Sequence, residues 1–220
     1  MAKKKNVKKT EKKKIRQKWE TQVIVIVGFM LIVLATVFIF YWISVNSKKF
    51  EFAGLKFEKI KEGSLTFYNT NFPLKDIFGN TVSYLPAYFR EDPRKLANIT
   101  IDGAIKLKST VALAADSDIL RCEDSILAGT TLSVFLAKAG ISSFGATTNK
   151  TEAEYFNRTY VDCGNTSQYS IVMFKNSTVD RIDELLSPNC YVISIANCNF
   201  MNVTERFMMG VYAHSAGISI

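Results

Sequence analysis

Between Thr21 and Ser47 the chain carries no charged residue, and Val23 to Val45 reads VIVIVGFMLIVLATVFIFYWISV. A helix over these residues rises about 1.5 Å per residue to roughly 34 Å, enough to cross a hydrocarbon layer of about 30 Å with some tilt. Trp19 and Trp42, the two tryptophans of the protein, stand near the two ends of the stretch, with Tyr41 beside the second. Amphipathic rings favour that depth, at the headgroup layer. A cleavable export signal would have a shorter apolar stretch, about 7–15 residues, closed by small residues. Here the stretch is longer and ends in Tyr-Trp-Ile, and only Val45-Asn46-Ser47 offers a permissive spacing. A pilin-type processing point at Gly28-Phe29 would fall inside the span with no acid after it. The reading is a retained membrane anchor over residues 21–47.

Charge then gives the orientation. The chain has 28 Lys plus Arg against 20 Asp plus Glu, but residues 1–20 hold ten of the cations and two Glu, so the remainder sums to zero. The first fifteen or so residues after the span hold five cations, Lys48, Lys49, Lys56, Lys59 and Lys61. Basic residues stay on the cytoplasmic side, which predicts a cytoplasmic tail over 1–20 and an extracytoplasmic domain over 48–220, the topology of a type II single-pass protein with a signal-anchor. The expected partners are the lipid bilayer, anionic headgroups at the tail, and an unknown protein or glycan at the domain. Nucleic acid is not expected, because no aromatic precedes Trp19 to stack on bases.

Six Asn-x-Ser/Thr sequons, at Asn98, Asn149, Asn157, Asn165, Asn176 and Asn202, all follow the span. Chance would place about two there, so the excess suits a glycosylating compartment. The four cysteines, Cys122, Cys163, Cys190 and Cys198, also follow it and include no CxxC. An even number in an oxidising compartment reads as two disulfides.

By pattern the domain divides into a β-rich part, 48–113, and an α/β part, 114–220. FEFAGLKFEKI, GSLTFYNT, TVSYLPAYF and GAIKLKSTVALA are aromatic and β-branched, with Gly, Asn and Pro between them. The second part predicts a helix at about 123–139 stopping at Gly140, strands in ISSFGATT and QYSIVMF, and a short helix at about 178–186. It then predicts a buried strand over 190–196 and a last helix opened by an Asn202–Glu205 capping box. The expected fold is an α/β or α+β domain whose second part runs β-α-β-β-α-β-α. If 190–196 is one strand, Cys190 and Cys198 lie roughly 25 Å apart and cannot bridge. Parallel βαβ geometry puts Cys163 and Cys190 at one sheet edge and Cys122 and Cys198 toward the other. The expected pairs are Cys163–Cys190 and Cys122–Cys198.

Candidate chemistry is sparse. One His and the absence of GxxxxGK[ST], GxGxxG and HExxH leave few constellations. Asp116 and Asp118, with Glu123 and Asp124 close by, precede a helix. Paired aspartates of this kind hold a divalent cation in glycosyltransferase-like enzymes, but acids before a helix are also ordinary caps. His214, followed by Ser215, is the one available imidazole and lacks a nucleophile elbow. Arg90-Glu91-Asp92-Pro93-Arg94 reads as a charged turn with two cations that could meet an anion. Phe207, Met208, Met209 and Tyr212 read as core. No cofactor is implied.

The Lys-rich leader, single span, FEFAGLKFEKI and Asp-Pro-Arg turn together resemble uncharacterised single-pass membrane surface proteins of archaeal type. The resemblance implies a surface-exposed domain and lends no catalytic residue to any position. The expected function is extracytoplasmic binding or envelope and surface assembly. The alternative is a membrane-tethered metal-dependent enzyme using Asp116 and Asp118.

Overall fold

The structure is a computed structural model and describes residues 25–43, 48–75, 80–115, 119–165, 168–185 and 187–216. The chain forms two compact units, Met1–Lys48 and Lys49–Ile220. In the first, helix α1 spans Val25–Ile43 and is long and apolar enough to cross a membrane. Thr36 hides its hydroxyl by donating to the Val33 carbonyl at 2.8 Å.

The second unit is mixed α/β with two sheets. Strands β1 (Lys49–Phe52), β2 (Leu55–Glu62), β3 (Leu65–Lys75) and β4 (Thr81–Phe89) form an antiparallel meander in chain order. Two-residue turns fix its first registers, Phe52 facing Leu55 and Glu62 facing Leu65. Alternation sends Leu55, Phe57, Phe72, Leu85 and Phe89 inward and leaves Val82, Tyr84 and Tyr88 exposed. A short helix α2 (Pro93–Leu96) leads into the second sheet, whose strands are β5 (Thr100–Asp102), β6 (Thr110–Ala115), β7 (Ser142–Thr147), β8 (Thr159–Tyr160), β9 (Ser170–Asn176), β10 (Arg181–Glu184) and β11 (Cys190–Ile195). Their spatial order is β5-β10-β11-β9-β6-β7-β8. The run from β11 to β8 is parallel, while β10 is antiparallel to β11 and carries β5 beside it.

Helix α3 (Ser125–Lys138) joins β6 to β7, and α4 (Lys150–Phe156) joins β7 to β8. Gly140, at φ 78°, ends α3 where a side chain would be strained. The Gly140 and Ile141 amides close back onto the Ala137 and Leu136 carbonyls. The last helix, α5 (Phe200–Ala216), touches β3 of the small sheet, β10 and β11 of the large one, and both α2 and α3. Val203 through Ala213 are all buried. The small sheet, helices α2, α3 and α5 and the large sheet thus share one core, with α5 as its filling. Phe72 stacks on Tyr212 and meets Phe135 edge on; Phe174 and Tyr191 approach Phe200 and Phe207 from the large sheet. Burying each such ring contributes about 1.5–3 kcal/mol. Gly210 permits the closest approach, since a Cβ there would lie 2.5 Å from Ile105 Cδ1.

Both disulfides are formed with the pairs reached from strand geometry. Cys163–Cys190 lies at the amino end of the parallel strands, with Cα atoms 5.7 Å apart, and Cys122–Cys198 near their carboxyl ends, 5.4 Å apart. The first sits beside a sheet face built from small and aliphatic residues, Ala112, Ala114, Ile171 and Val192, against which Val161 and Tyr169 also pack.

Four expectations are corrected. The helix expected at 178–186 is strand β10, because antiparallel pairing to β11 buries Ile182 between more exposed neighbours. Asp180 caps no helix there; its carboxylate accepts from the Ala196 amide and the Asn199 side chain. The order β-α-β-β-α-β-α becomes β-α-β-α-β-β-β-β-α from β6 onward, because α4, β8 and β10 intervene. The internal boundary at 113/114 moves back, since β6 pairs between β7 and β9 in the large sheet. The last helix opens at Phe200, so Asn202 and Glu205 form no capping box.

Candidate functional site

The apolar faces of α3 do not all find cover. Ala128, Leu132, Phe135 and Leu136 are buried, while Ile126, Leu127 and Val134 stay exposed. On one flank of this ridge a cavity of about 350 Å³ opens between β4, α3 and α5. Its walls are Phe67, Pro86 and Tyr88 from the small sheet, Leu127 and Val134 from α3, and Met201 and Met208 from α5. Three ionisable groups also line it: Arg90, Lys138 and Glu205.

Glu205 is the unusual group. It is fully buried, and its carboxylate is held by hydrogen bonds from two backbone amides. Its Oε1 accepts the Arg90 amide at 2.6 Å and its Oε2 the Glu91 amide at 3.2 Å. The carboxyl therefore clamps the turn between the two sheets to the central helix. Burial pushes its pKa up to about 7, against the opposing pull of those two amides. The Arg90 side chain reaches toward Asp124 instead, at 4.0 Å. The neighbouring Arg206 is also buried and donates from Nε to the Ile99 carbonyl; desolvation lowers its pKa. A perturbed carboxyl at the floor of an apolar groove is a recognised mark of a ligand site. The threonines on the α3 wall, Thr130 and Thr131, spend their protons on the Ile126 and Leu127 carbonyls. The chemistry assembled here is apolar contact, two cations and one titratable carboxyl, which suits binding.

The other flank of α3 borders a second cavity of about 440 Å³, among Ala115 of β6, Gly145 of β7, Phe174 of β9, Ser125 and Gly129 of α3, and Phe200. It lies toward the carboxyl ends of the parallel strands. The chain runs outward from β6 to β8 and then returns to β9 on the opposite side, so this is the point of reversal at which open α/β sheets hold ligands.

Asp116 and Asp118, the candidate metal ligands of the alternative reading, lie outside the described residues. Among the described residues no three His, Cys, Asp or Glu side chains converge as a metal site. Asp124 stands at the N-cap position of α3 but makes no side-chain capping bond, and Glu123 is exposed. The charged turn satisfies itself. Asp92 caps α2 and receives both Nε and Nη2 of Arg94, while Lys95 pairs with Glu91 at 3.0 Å. Arg94 is thereby committed to Asp92 and holds its pKa down. His214 and Ser215 are exposed in the last turn of α5, and Ser215 donates to the Tyr212 carbonyl, so among the described residues the two form no hydrogen-bonded relay. Phe207, Met208, Met209 and Tyr212 are core.

Four of the sequon asparagines, Asn98, Asn149, Asn157 and Asn176, are exposed; Asn202 is half-buried on α5, and the Asn165 side chain lies outside the described residues. Glu205 was read from the sequence only as a cap. The signal that marks it is the Glu205-Arg206 pair inside an otherwise uncharged helix, FMNVTERFMMGVYAHSA. Comparison of the chain with protein-family models, with curated proteins and with solved structures gave no match.

Proposed function

We propose that the protein is a membrane-anchored extracytoplasmic binding module that works in an envelope or surface assembly. The observation that carries this reading is the open α3 ridge with the Glu205-floored groove beside it: contiguous apolar surface, held on a rigid core and left without cover inside the domain. Two disulfides and the surplus of sequons support an oxidising, glycosylating compartment, and the Lys/Arg asymmetry supports a cytoplasmic amino terminus with the basic tail on anionic headgroups. The topology is that of the archaeal-type surface proteins the chain resembles, with a protein or glycan as the unknown partner.

The test is site-specific photocrosslinking in the native membrane. A crosslinker at Val134 is expected to capture one discrete partner, while the same group at Glu58, exposed on the small sheet, captures none. Equal yields from both positions, or none from Val134, would reject the reading.

One observation favours a second reading, a tethered glycosyltransferase-like enzyme: Asp116 and Asp118 follow in sequence directly on β6, whose last residue borders the cavity at the strand-order reversal. Replacing both by Asn would then abolish cation-dependent nucleotide-sugar binding while thermal unfolding stayed unchanged. Unchanged binding, or absence of binding in the parent protein, removes this reading.

A further inference from the structure

Helix α4 is thinly supported. It has seven residues and buries only Ala153. A helix this short is marginal without tertiary packing. Yet it displays two large rings to solvent, Tyr155 at 82% exposure and Phe156 at 57%, set edge to face with centroids 4.8 Å apart. Both ends of α4 are sequon asparagines. Asn149 caps the amino end through Oδ1, which receives the Thr151 and Glu152 amides and leaves Nδ2, the atom that carries a sugar, unused by the cap. Asn157 follows the rings directly. Its left-handed backbone, φ 50°, turns the chain out of the helix, and its exposed side chain has no hydrogen-bond partner among the described residues. Thr159, the third residue of its sequon, opens β8.

We propose that an N-linked sugar on Asn157 folds back over the exposed aromatic pair and packs the C–H face of its first ring against Tyr155. The inference rests on the export reading above and on use of this sequon. A hexopyranose presents polarised C–H groups on one face, and an aromatic ring presents its negative face to them, so the contact combines apolar burial with electrostatic fit. Tyr155 is the open platform, because the Arg158 guanidinium already lies 5.4 Å from the Phe156 ring centroid. Attachment is a transfer from a lipid-phosphate-linked sugar: the C1–O bond to the donor phosphate breaks, a C1–Nδ2 bond forms, and the amide proton leaves to a base of the transferase. The sugar then covers the Tyr155 ring that the polypeptide leaves bare and holds the α4–β8 turn.

The experiment uses full-length protein from a glycosylating host, with peptide mass analysis at Asn157, hydroxyl-radical labelling of Tyr155 and thermal unfolding. Thr159→Ala removes the sequon without touching the left-handed residue. The expected results are a glycan mass on the Asn157 peptide and several-fold more labelling of Tyr155 in Thr159→Ala. The melting temperature should fall by about 2–4 °C for that variant, and by clearly less when it is made in a Tyr155→Ser background. An unmodified Asn157 would overturn the proposal together with the use of this sequon. A modified Asn157 with unchanged labelling, and the same melting decrement in both backgrounds, would overturn the docking alone and leave the export reading standing.

Discussion

Helices α3 and α5 are built from similar material, apolar residues interspersed with Gly, Ser and Thr, and they pack against each other. They nevertheless do opposite work. From Val203 to Ala213 α5 has no exposed residue, because a sheet lies on either side of it, whereas α3 leaves Ile126, Leu127 and Val134 in contact with solvent. Composition alone therefore does not separate a structural helix from an interaction surface. The difference is how many layers the topology lays over each helix, and the open side of α3 is apolar surface that contributes nothing to the fold while it stays exposed.

The contrast can be broken most sharply at Phe207. This ring is fully buried between α5 and the large sheet, near Tyr191, so Phe207→Ala is expected to cost about 3–5 kcal/mol in urea unfolding. A cost under about 1 kcal/mol would mean that α5 is not the filling it is described as.

Glu205 is buried on α5 and lines the groove beside α3, and it should make stability depend on pH. Its native pKa of about 7 lies above the ordinary 4.5, so the folded state holds the proton more tightly than the unfolded one. The stabilisation from this group is full below about pH 4.5 and is lost as pH rises through 7, roughly 3 kcal/mol in all. Unfolding free energies measured at pH 5 and pH 8 should show this fall, and Glu205→Gln should flatten it. A parent protein whose stability rises over that interval, with no change of slope in the variant, would contradict the burial of this carboxyl.

The smallest stability effect belongs to α3. Val134→Asn is expected to stay within about 0.5 kcal/mol of the parent, since the residue is half in solvent. The same substitution should remove partner capture in the native membrane. A large loss of stability instead would place Val134 in the core and erase the distinction between the helices.

What the sequence made legible followed from local pattern. The uncharged run gives α1, Gly140 stops α3, and TVSYLPAYF becomes β4 residue for residue. The disulfide pairs follow from strand length and direction. Long-range pairing was less accessible. Asp180, Asp183 and Glu184 carry helix-start chemistry, yet β11 recruits their segment as β10, a tertiary contact outweighing local preference. Thr-Val-Ala-Leu-Ala-Ala is uninterrupted and apolar because β6 is covered on both faces at the centre of a parallel run, which its aromatic-rich neighbours upstream disguised. Asn149 drew notice as a sequon while its capping of α4 passed unread. Glu205 needed the fold itself, because its two partners are amides more than a hundred positions away.

The placement of α5 also bears on when the domain can form. Residues 200–216 follow every described strand, yet both sheets close their apolar faces on that helix. Until the chain has been made through Ala216, each sheet is a half-sandwich with its inner face wet, and Cys122 waits for a partner that immediately precedes the helix. The two sheets thus close together, in one step that waits for that helix.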